Sequence, residues 1–221
     1  MRPAKPHLSQ LKIGDDEYRV SILRMARRTL SMHVAQGELL VKAPLNADIK
    51  TILDWVITKQ SWIEKRTALI RKMKLDEDEV WYLGKRTKVI NAKQTLINSD
   101  GIYLKSGASL DAALRNQAID ILTPLFNKAA NELGYGPQEL KFRTMTRSWG
   151  RCTSKGIITL NTRLIACDPR FIRYVCIHEL IHLKHLNHSP SFWSDVRRYV
   201  PDLSSVKRLS ILITKEDRFA L

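Results

Sequence analysis

The sequence predicts an α+β fold: a β-rich N-terminal region with one long helix, followed by a region built around a histidine-bearing helix. Three observations predict it. Short apolar, β-branched runs recur at Tyr18–Leu23, Thr29–Val34 and Leu39–Ala43. A 3.6-residue apolar period then runs over 48–74 through Ile49, Ile52, Leu53, Val56, Ile57, Ile63, Leu69 and Ile70. Near the C-terminal end a capped apolar helix carries His178-Glu179-Leu180-Ile181-His182. The Ser106-Gly107 break divides the chain into a β-rich region with the long helix, 1–107, and a catalytic region, 108–221.

In chain order, Gln36-Gly37 suits a hairpin between the second and third strands. Pro44 ends the sheet, and Asn46 or Asp48 caps the long helix. Trp55 and Trp62, seven residues apart, are expected on its core face. The acidic stretch Asp76–Glu79 reads as a solvated turn. Residues 81–85, 94–98 and 102–104 read as short strands, the last two joined by a Ser99-Asp100-Gly101 turn. A helix over 110–133 contains Pro124, which should kink or restart it. Gly134–Pro137 ends that helix. Strands at 141–146 and 157–161 flank a loop containing Arg147-Ser-Trp-Gly-Arg-Cys152.

Composition excludes several classes. At 221 residues with 44% hydrophobic and 27% charged side chains, the chain can bury a core and is not wholly disordered. No apolar run approaches the roughly 18–20 residues needed to span a bilayer, so no membrane partner is expected. The basic start, Met1 to Gln10, lacks the apolar core of a secretory signal. Cys152, Cys167 and Cys176 form no CxxC pair, and an odd, sparse count fits a reducing compartment. The expected location is therefore cytoplasmic. Cys176 lies in an apolar run and reads as core; Cys152 lies in a polar, Gly-containing loop where a site role is open. The net charge of +15 suits anionic partners such as nucleotides or nucleic acid, with Arg24, Arg27 and Arg28 the densest cluster, yet no nucleic-acid module is visible.

The chemistry concentrates between 166 and 190. Asp168 followed by Pro169 is a capping side chain before proline at the first helical position. In the helix that follows, His178 and His182 lie one turn apart on one face, where two imidazoles can ligate one Zn²⁺. Glu179 flanks that face and can take a proton from zinc-bound water as general base, then return it to the leaving group. A catalytic zinc needs a third protein ligand and an open position. His185 would sit about 10 Å beyond His178 along a continuing helix and could not share the metal unless the helix breaks first. His188 reaches the metal if the helix ends near Leu186-Asn187, with Asn187 in the left-handed conformation and Pro190 discouraging continuation. Asp195 or Asp202 are the downstream alternatives. Four of the six histidines fall in 178–188. His185 is then a group supporting the ligands, a substrate contact or a surface side chain.

Linked motifs carry a resemblance. Trp149-Gly-Arg-Cys152, Ser154-Lys-Gly156, Ile158-Thr-Leu-Asn161, His178-Glu-Leu-Ile-His182 and Asn187-His-Ser-Pro-Ser-Phe-Trp193 resemble, in order and spacing, the YgjP-like metallopeptidase family, which is related to SprT-like zinc proteases. The resemblance implies a zincin-like catalytic region with His178, His182 and His188 as zinc ligands and Glu179 as general base. The family usually has Ser where Arg151 stands, so Arg151 is a candidate anion-binding addition. The spacing is also that of the metzincin pattern HExxHxxGxxH, but His185 replaces the glycine and no Met-turn is evident.

A zinc-dependent hydrolase acting on peptide or protein substrates is the expected function. Zinc polarises the scissile carbonyl, and Arg147, Arg151 and Tyr174 are candidate stabilisers of the developing oxyanion. Trp149 and His185 are further candidate substrate contacts. A strand near Thr159–Asn161 or the Trp149 loop is expected to form the cleft edge and accept an extended peptide. Phe192 and Trp193 are expected as a plug under the metal. Two alternatives remain. One, implied by the same resemblance, is a metal-dependent UTP pyrophosphatase; against it stand the missing Walker loop and the lack of carboxylates to hold Mg²⁺. The other is a non-catalytic nucleic-acid or ribosome binder with a structural zinc, in which Glu179 would have no task.

Overall fold

The computed structural model describes residues 6–35, 37–98 and 100–209. Two expectations touch positions outside them: Gln36 of the first hairpin and Ser99 of the later turn, as does the start of the chain through Lys5. The chain forms two compact units, 1–74 and 75–221.

The first unit is a four-stranded sheet with two helices. β1 (His7–Ile13), β2 (Asp16–Met25), β3 (Ser31–Ala35) and β4 (Glu38–Pro44) are ordered β1-β2-β4-β3, with β2 and β4 parallel. β1 was not anticipated, because its apolar residues Leu8, Leu11 and Ile13 do not alternate and only Ile13 is β-branched. β3 and β4 pair antiparallel from Ala35 opposite Glu38, as the hairpin reading requires. Inward residues Tyr18, Val20, Ile22, Leu39 and Val41 are buried with Ile52, Val56 and Ile63.

The long helix expected over 48–74 is two helices, α1 (Ile49–Ile57) and α2 (Gln60–Met73). Asp48 caps α1 by accepting from the Thr51 amide. The Thr58 hydroxyl donates to the Trp55 carbonyl, and the Lys59 amide turns back three residues to Val56, which ends the α-helical ladder. The break rotates the second segment, so the two tryptophans do not share a face: Trp55 packs on the core but Trp62 is 48% exposed.

The second unit starts earlier than the Gly107 break suggested. It contains β5 (Glu79–Tyr82), β6 (Lys85–Ala92), β7 (Leu96–Ile97) and β8 (Ile102–Lys105), ordered β5-β6-β8-β7. Val80, Tyr82 and Ile102 join the core of the histidine-bearing region. The β5–β6 turn is the anchor. Leu83 and Gly84 adopt φ of 48° and 78°, and their amides donate to the Ile165 and Ala166 carbonyls at 2.7 and 2.9 Å. A Cβ on Gly84 would lie 2.9 Å from the Asp168 Cα, so both the positive φ and the close approach require glycine.

α3 (Leu110–Leu133) runs unbroken through Pro124. Pro124 is exposed, so the Asp120 carbonyl it deprives faces water, and the preceding Thr123 hydroxyl donates to the Ile119 carbonyl. The buried stripe Leu114, Ala118, Leu122, Phe126, Ala129 and Leu133 repeats every three or four residues and lies against the site region. β9 (Glu139–Arg143), β10 (Gly150–Cys152) and β11 (Ile157–Asn161) follow, ordered β10-β11-β9, then a 3₁₀ turn over Thr162–Ala166. α4 (Pro169–Ile181), α5 (Pro190–Tyr199) and α6 (Leu203–Leu209) complete the unit. α4 is buried on almost every side, including Phe171, Ile172, Val175, Ile177 and Leu180. Among the described residues no helix is long and apolar enough to cross a membrane.

Candidate active site

α4 starts as its sequence dictates: Asp168 accepts from the Arg170 amide at 2.8 Å and Pro169 occupies the first turn. The helix stops at His182, earlier than expected. The Leu183 and Lys184 amides bond three residues back, to Leu180 and Ile181, tightening the last turn. Asn187 does not take the left-handed conformation: outside glycine, only Leu83 has positive φ among the described residues. Ser189 then caps α5 by accepting from the Phe192 amide. The chain between the two caps returns His188 to α4.

Three imidazoles converge. His178 Nε2 stands 3.2 Å from His182 Nε2 and 3.1 Å from His188 Nε2. They form the one cluster among the described residues able to hold a metal, with ligand atoms within 4.8 Å of one another. Two nitrogens at about 2.0–2.1 Å from a tetrahedral zinc stand about 3.3 Å apart, so this donor set fits a zinc ion. Neither Asp195 nor Asp202 joins it. Burial, with repulsion from His182, His188 and Lys207 behind it, pushes His178 down to about 3, which keeps its Nε2 lone pair available. His182 is also held below its ordinary value, chiefly by burial.

Two of the imidazoles are held from behind. His182 Nδ1–H donates to the His185 carbonyl at 2.8 Å, which leaves the Nε2 lone pair facing the cluster. The His185 ring is fixed in turn, its Nε2 2.8 Å from Asp195 Oδ2. The Tyr174 oxygen is 3.4 Å from His178 Nδ1, on the side away from the other imidazoles. Burial raises the Tyr174 phenol to about 12, so it remains protonated. Phe192 floors the cluster, its ring centroid 4.6–4.9 Å from all three imidazoles. Trp193 stacks on His188 at 5.5 Å and 19°. The plug expected of these two aromatics is present.

Glu179 is 6% exposed, and burial pushes its carboxyl up to about 7. It lies against β10 so closely that a Cβ on Gly150 would be 2.6 Å from both its Cγ and Oε1. Among the described residues β10 is an edge of its sheet, whereas β11 is paired on both sides, so of the two strands expected at a cleft edge the one after Trp149, and not Thr159–Asn161, has an open side. Alternation along β10 sends Gly150 and Cys152 towards α4 and exposes Arg151 on the other face, away from Glu179. Trp149 is partly buried, edge-on to Phe171 at 5.7 Å. Arg147 lies in the exposed loop before β10.

Two residues escaped the sequence reading of roles. Asn161, 2% exposed, fixes the loop before β10: its Nδ2 donates to the Met145 and Ser148 carbonyls at 2.8 Å each, and its Oδ1 accepts from the Met145 and Arg163 amides. A lone Asn at a strand end carries no sequence signal for this. Lys207 on α6 places its ammonium 3.9 Å over the Trp193 ring and 5.9 Å from the Tyr174 ring. It lies beyond every motif.

Comparisons with known proteins place the chain. Among solved structures, the metallopeptidase zymogen of Pyrococcus abyssi abylysin is 31% identical, over 40% of this chain and 88% of its own, with a TM-score of 0.36. The metallopeptidase zymogen of Methanocaldococcus jannaschii jannalysin is 20% identical, over 41% and 87%, with a TM-score of 0.37. No curated protein sequence matches. Residues 28–209 match the YgjP-like, metallopeptidase domain model, a span that includes all three imidazoles, Glu179 and β10. The chain therefore belongs to the YgjP-like metallopeptidase family.

Proposed function

We propose that this chain is a zinc-dependent peptidase, with His178, His182 and His188 as metal ligands and Glu179 as general base. One observation carries the reading: three mutually supported imidazoles meet beside a buried carboxylate at the edge of a strand. The all-imidazole donor set favours zinc over Mg²⁺, which prefers oxygen ligands. When bound, the metal would polarise a carbonyl and ease deprotonation of water.

The remaining work falls to the chain. β10, paired among the described residues with β11 alone, can add an extended peptide as a further strand and hold the scissile bond near the cluster. A carboxyl near 7 suits both halves of the reaction: Glu179 takes the proton of the attacking water and gives it to the departing amine. Phe192 and Trp193 keep solvent from one side of the imidazoles. Tyr174 and the His185 carbonyl hold the ring orientations. The proposed setting is the reducing cytoplasm, supported by three free thiols, of which Cys167 and Cys176 are buried.

Parallel assays test the reading. Casein-like peptides and UTP are incubated with tag-free protein, with and without chelator, beside Glu179→Gln. Peptide cleavage that needs metal and is lost in Glu179→Gln is expected. Metal-dependent UTP hydrolysis without peptide cleavage would replace the peptidase by the nucleotide hydrolase. A folded, zinc-bearing protein with neither activity but with salt-sensitive nucleic-acid retention would favour the binder.

A further inference from the structure

A groove of about 450 Å³ opens directly from His182. One wall is the turn between β10 and β11, Thr153–Gly156; the other is Leu183 and Leu186, in the chain that leaves α4. Because His182, a candidate metal ligand, is among its lining residues, the groove adjoins the candidate active site.

Both walls are fixed. The Gly156 amide donates to the Thr153 carbonyl at 2.9 Å, the Thr153 hydroxyl accepts from the Ile157 amide at 3.2 Å, and the Gln138 amide donates to the Gly156 carbonyl at 2.9 Å. Gly156 takes φ of 71°, which the turn demands. Opposite, the tight last turn of α4 fixes the backbone at Leu183, and the His185–Asp195 pair fixes the residue before Leu186. The groove is therefore a preformed feature of the fold.

Its chemistry is asymmetric. Leu186 is 75% exposed, a large apolar side chain left in water beside a catalytic cluster. Thr153, Ser154 and Gln138 supply neutral polar atoms. Lys155 is the ionised side chain of the lining, and no carboxylate stands among the lining residues. An aliphatic stem ending in an anion complements both features, the stem against Leu183 and Leu186 and the charge against Lys155. Basic or short polar side chains satisfy neither. The chain's net charge of +15 adds attraction of the same sign over a longer range.

We propose that this groove is a substrate subsite selecting a glutamate side chain beside the scissile bond, with Lys155 as its specificity-determining residue. This deepens the peptidase reading and rests on it for the chemistry, though binding itself does not.

The test uses peptides identical except for Glu, Leu or Lys at each position flanking the scissile bond. Cleavage is measured with wild type, Lys155→Gln and Lys155→Glu, and binding with zinc-loaded Glu179→Gln carrying the same Lys155 changes. Lys155 lies in an exposed turn, and equal thermal midpoints and zinc contents confirm that each variant is folded. At one position, wild type should favour Glu over Lys about fivefold at low salt, as an exposed ion pair allows. The preference should vanish in Lys155→Gln and reverse in Lys155→Glu. An unchanged Glu-to-Lys ratio across the variants, in cleavage and in binding, overturns the subsite. If no peptide is cut but Glu179→Gln binds the Glu peptide with a Lys155-dependent preference, the subsite stands and the peptidase reading fails. If peptides are cut without that preference, the peptidase stands and the subsite fails.

Discussion

Gly150→Ala offers a test of the site that does not depend on knowing the substrate. The added Cβ would stand 2.6 Å from Glu179 Cγ and Oε1 and 2.7 Å from Cδ. Ordinary contact begins near 3.4 Å, so the carboxylate or β10 must move by about 0.8 Å. Glu179 is buried and its neighbours are close-packed, so the strain is not absorbed freely; overpacking of this kind costs about 1–3 kcal/mol. In a Glu179→Ala background the obstructing atoms are gone, and the same Gly150→Ala change should cost little. Chemical denaturation of the four proteins of this cycle should give a coupling of about 2 kcal/mol. Zinc content should be unchanged in Gly150→Ala, because the three atoms nearest the added Cβ all belong to Glu179, while peptide turnover should fall by about 10²-fold, as expected when a catalytic group is displaced by about 1 Å. An equal cost of Gly150→Ala in both backgrounds would refute the close approach of Glu179 to the edge strand.

Four further outcomes follow from the same geometry. Asp195→Asn should weaken zinc binding about 10- to 100-fold in chelator competition, because the His185 ring and the carbonyl orienting His182 lose their anchor; unchanged affinity would assign that pair to the turn alone. Asn161→Ala leaves four backbone groups without their partner and should cost about 2–4 kcal/mol in urea unfolding; a loss under 1 kcal/mol would show that the loop before β10 holds itself. His188→Ala should lower zinc occupancy while leaving the metal-free thermal midpoint nearly unchanged, since His188 is exposed; full occupancy would mean another third ligand. For metal-free protein the pH profile has a definite sign. His178, held near 3 against an ordinary 6.5, withdraws stability as pH falls below about 6.5, and His182 adds in the same direction. Glu179, raised to about 7 from 4.5, withdraws stability as pH rises from about 4.5 to 7. The carboxyl's slope opposes those of the imidazoles between about 4.5 and 6.5, so chelated wild type should lose stability only gently there as pH falls. Chelated Glu179→Gln should instead lose stability steadily from about 6.5 downward, by at most about 1.4 kcal/mol per pH unit and titrating group; identical profiles would contradict the burial of both groups.

The convergence of the three imidazoles was legible because its information is local. The spacing of His178, Glu179 and His182 encodes a helix face, Asp168-Pro169 encodes its start, and Pro190 discourages its continuation past His188. The means of the turn was not legible: Asn187 suggested a left-handed break, but the helix had already closed at His182 through three-residue bonds that leave no residue signature. The supporting contacts were hidden for a related reason. Tyr174, the His185 carbonyl and Asn161 act through pairings fixed only in three dimensions, and Gly150 reads as a loop glycine until Glu179 is placed against it. The early part of the fold misled where periodicity continued across a break. The apolar positions of 49–70 satisfy one helical period closely enough that a single Thr58 hydroxyl, donating to Trp55, was not read as an end. The Gly107 break does not coincide with the division at 74/75, because Leu83-Gly84 docks on the turn before α4 through backbone bonds, drawing β5–β8 into the histidine-bearing unit.

Anomalous scattering at the zinc absorption edge, from crystals of tag-free protein, tests the central claim most directly. The account predicts one zinc per chain, within about 2.0–2.1 Å of the Nε2 atoms of His178, His182 and His188 and of no other side chain. A metal-free cluster in protein prepared without chelator, or a zinc that leaves His188 aside, would contradict it.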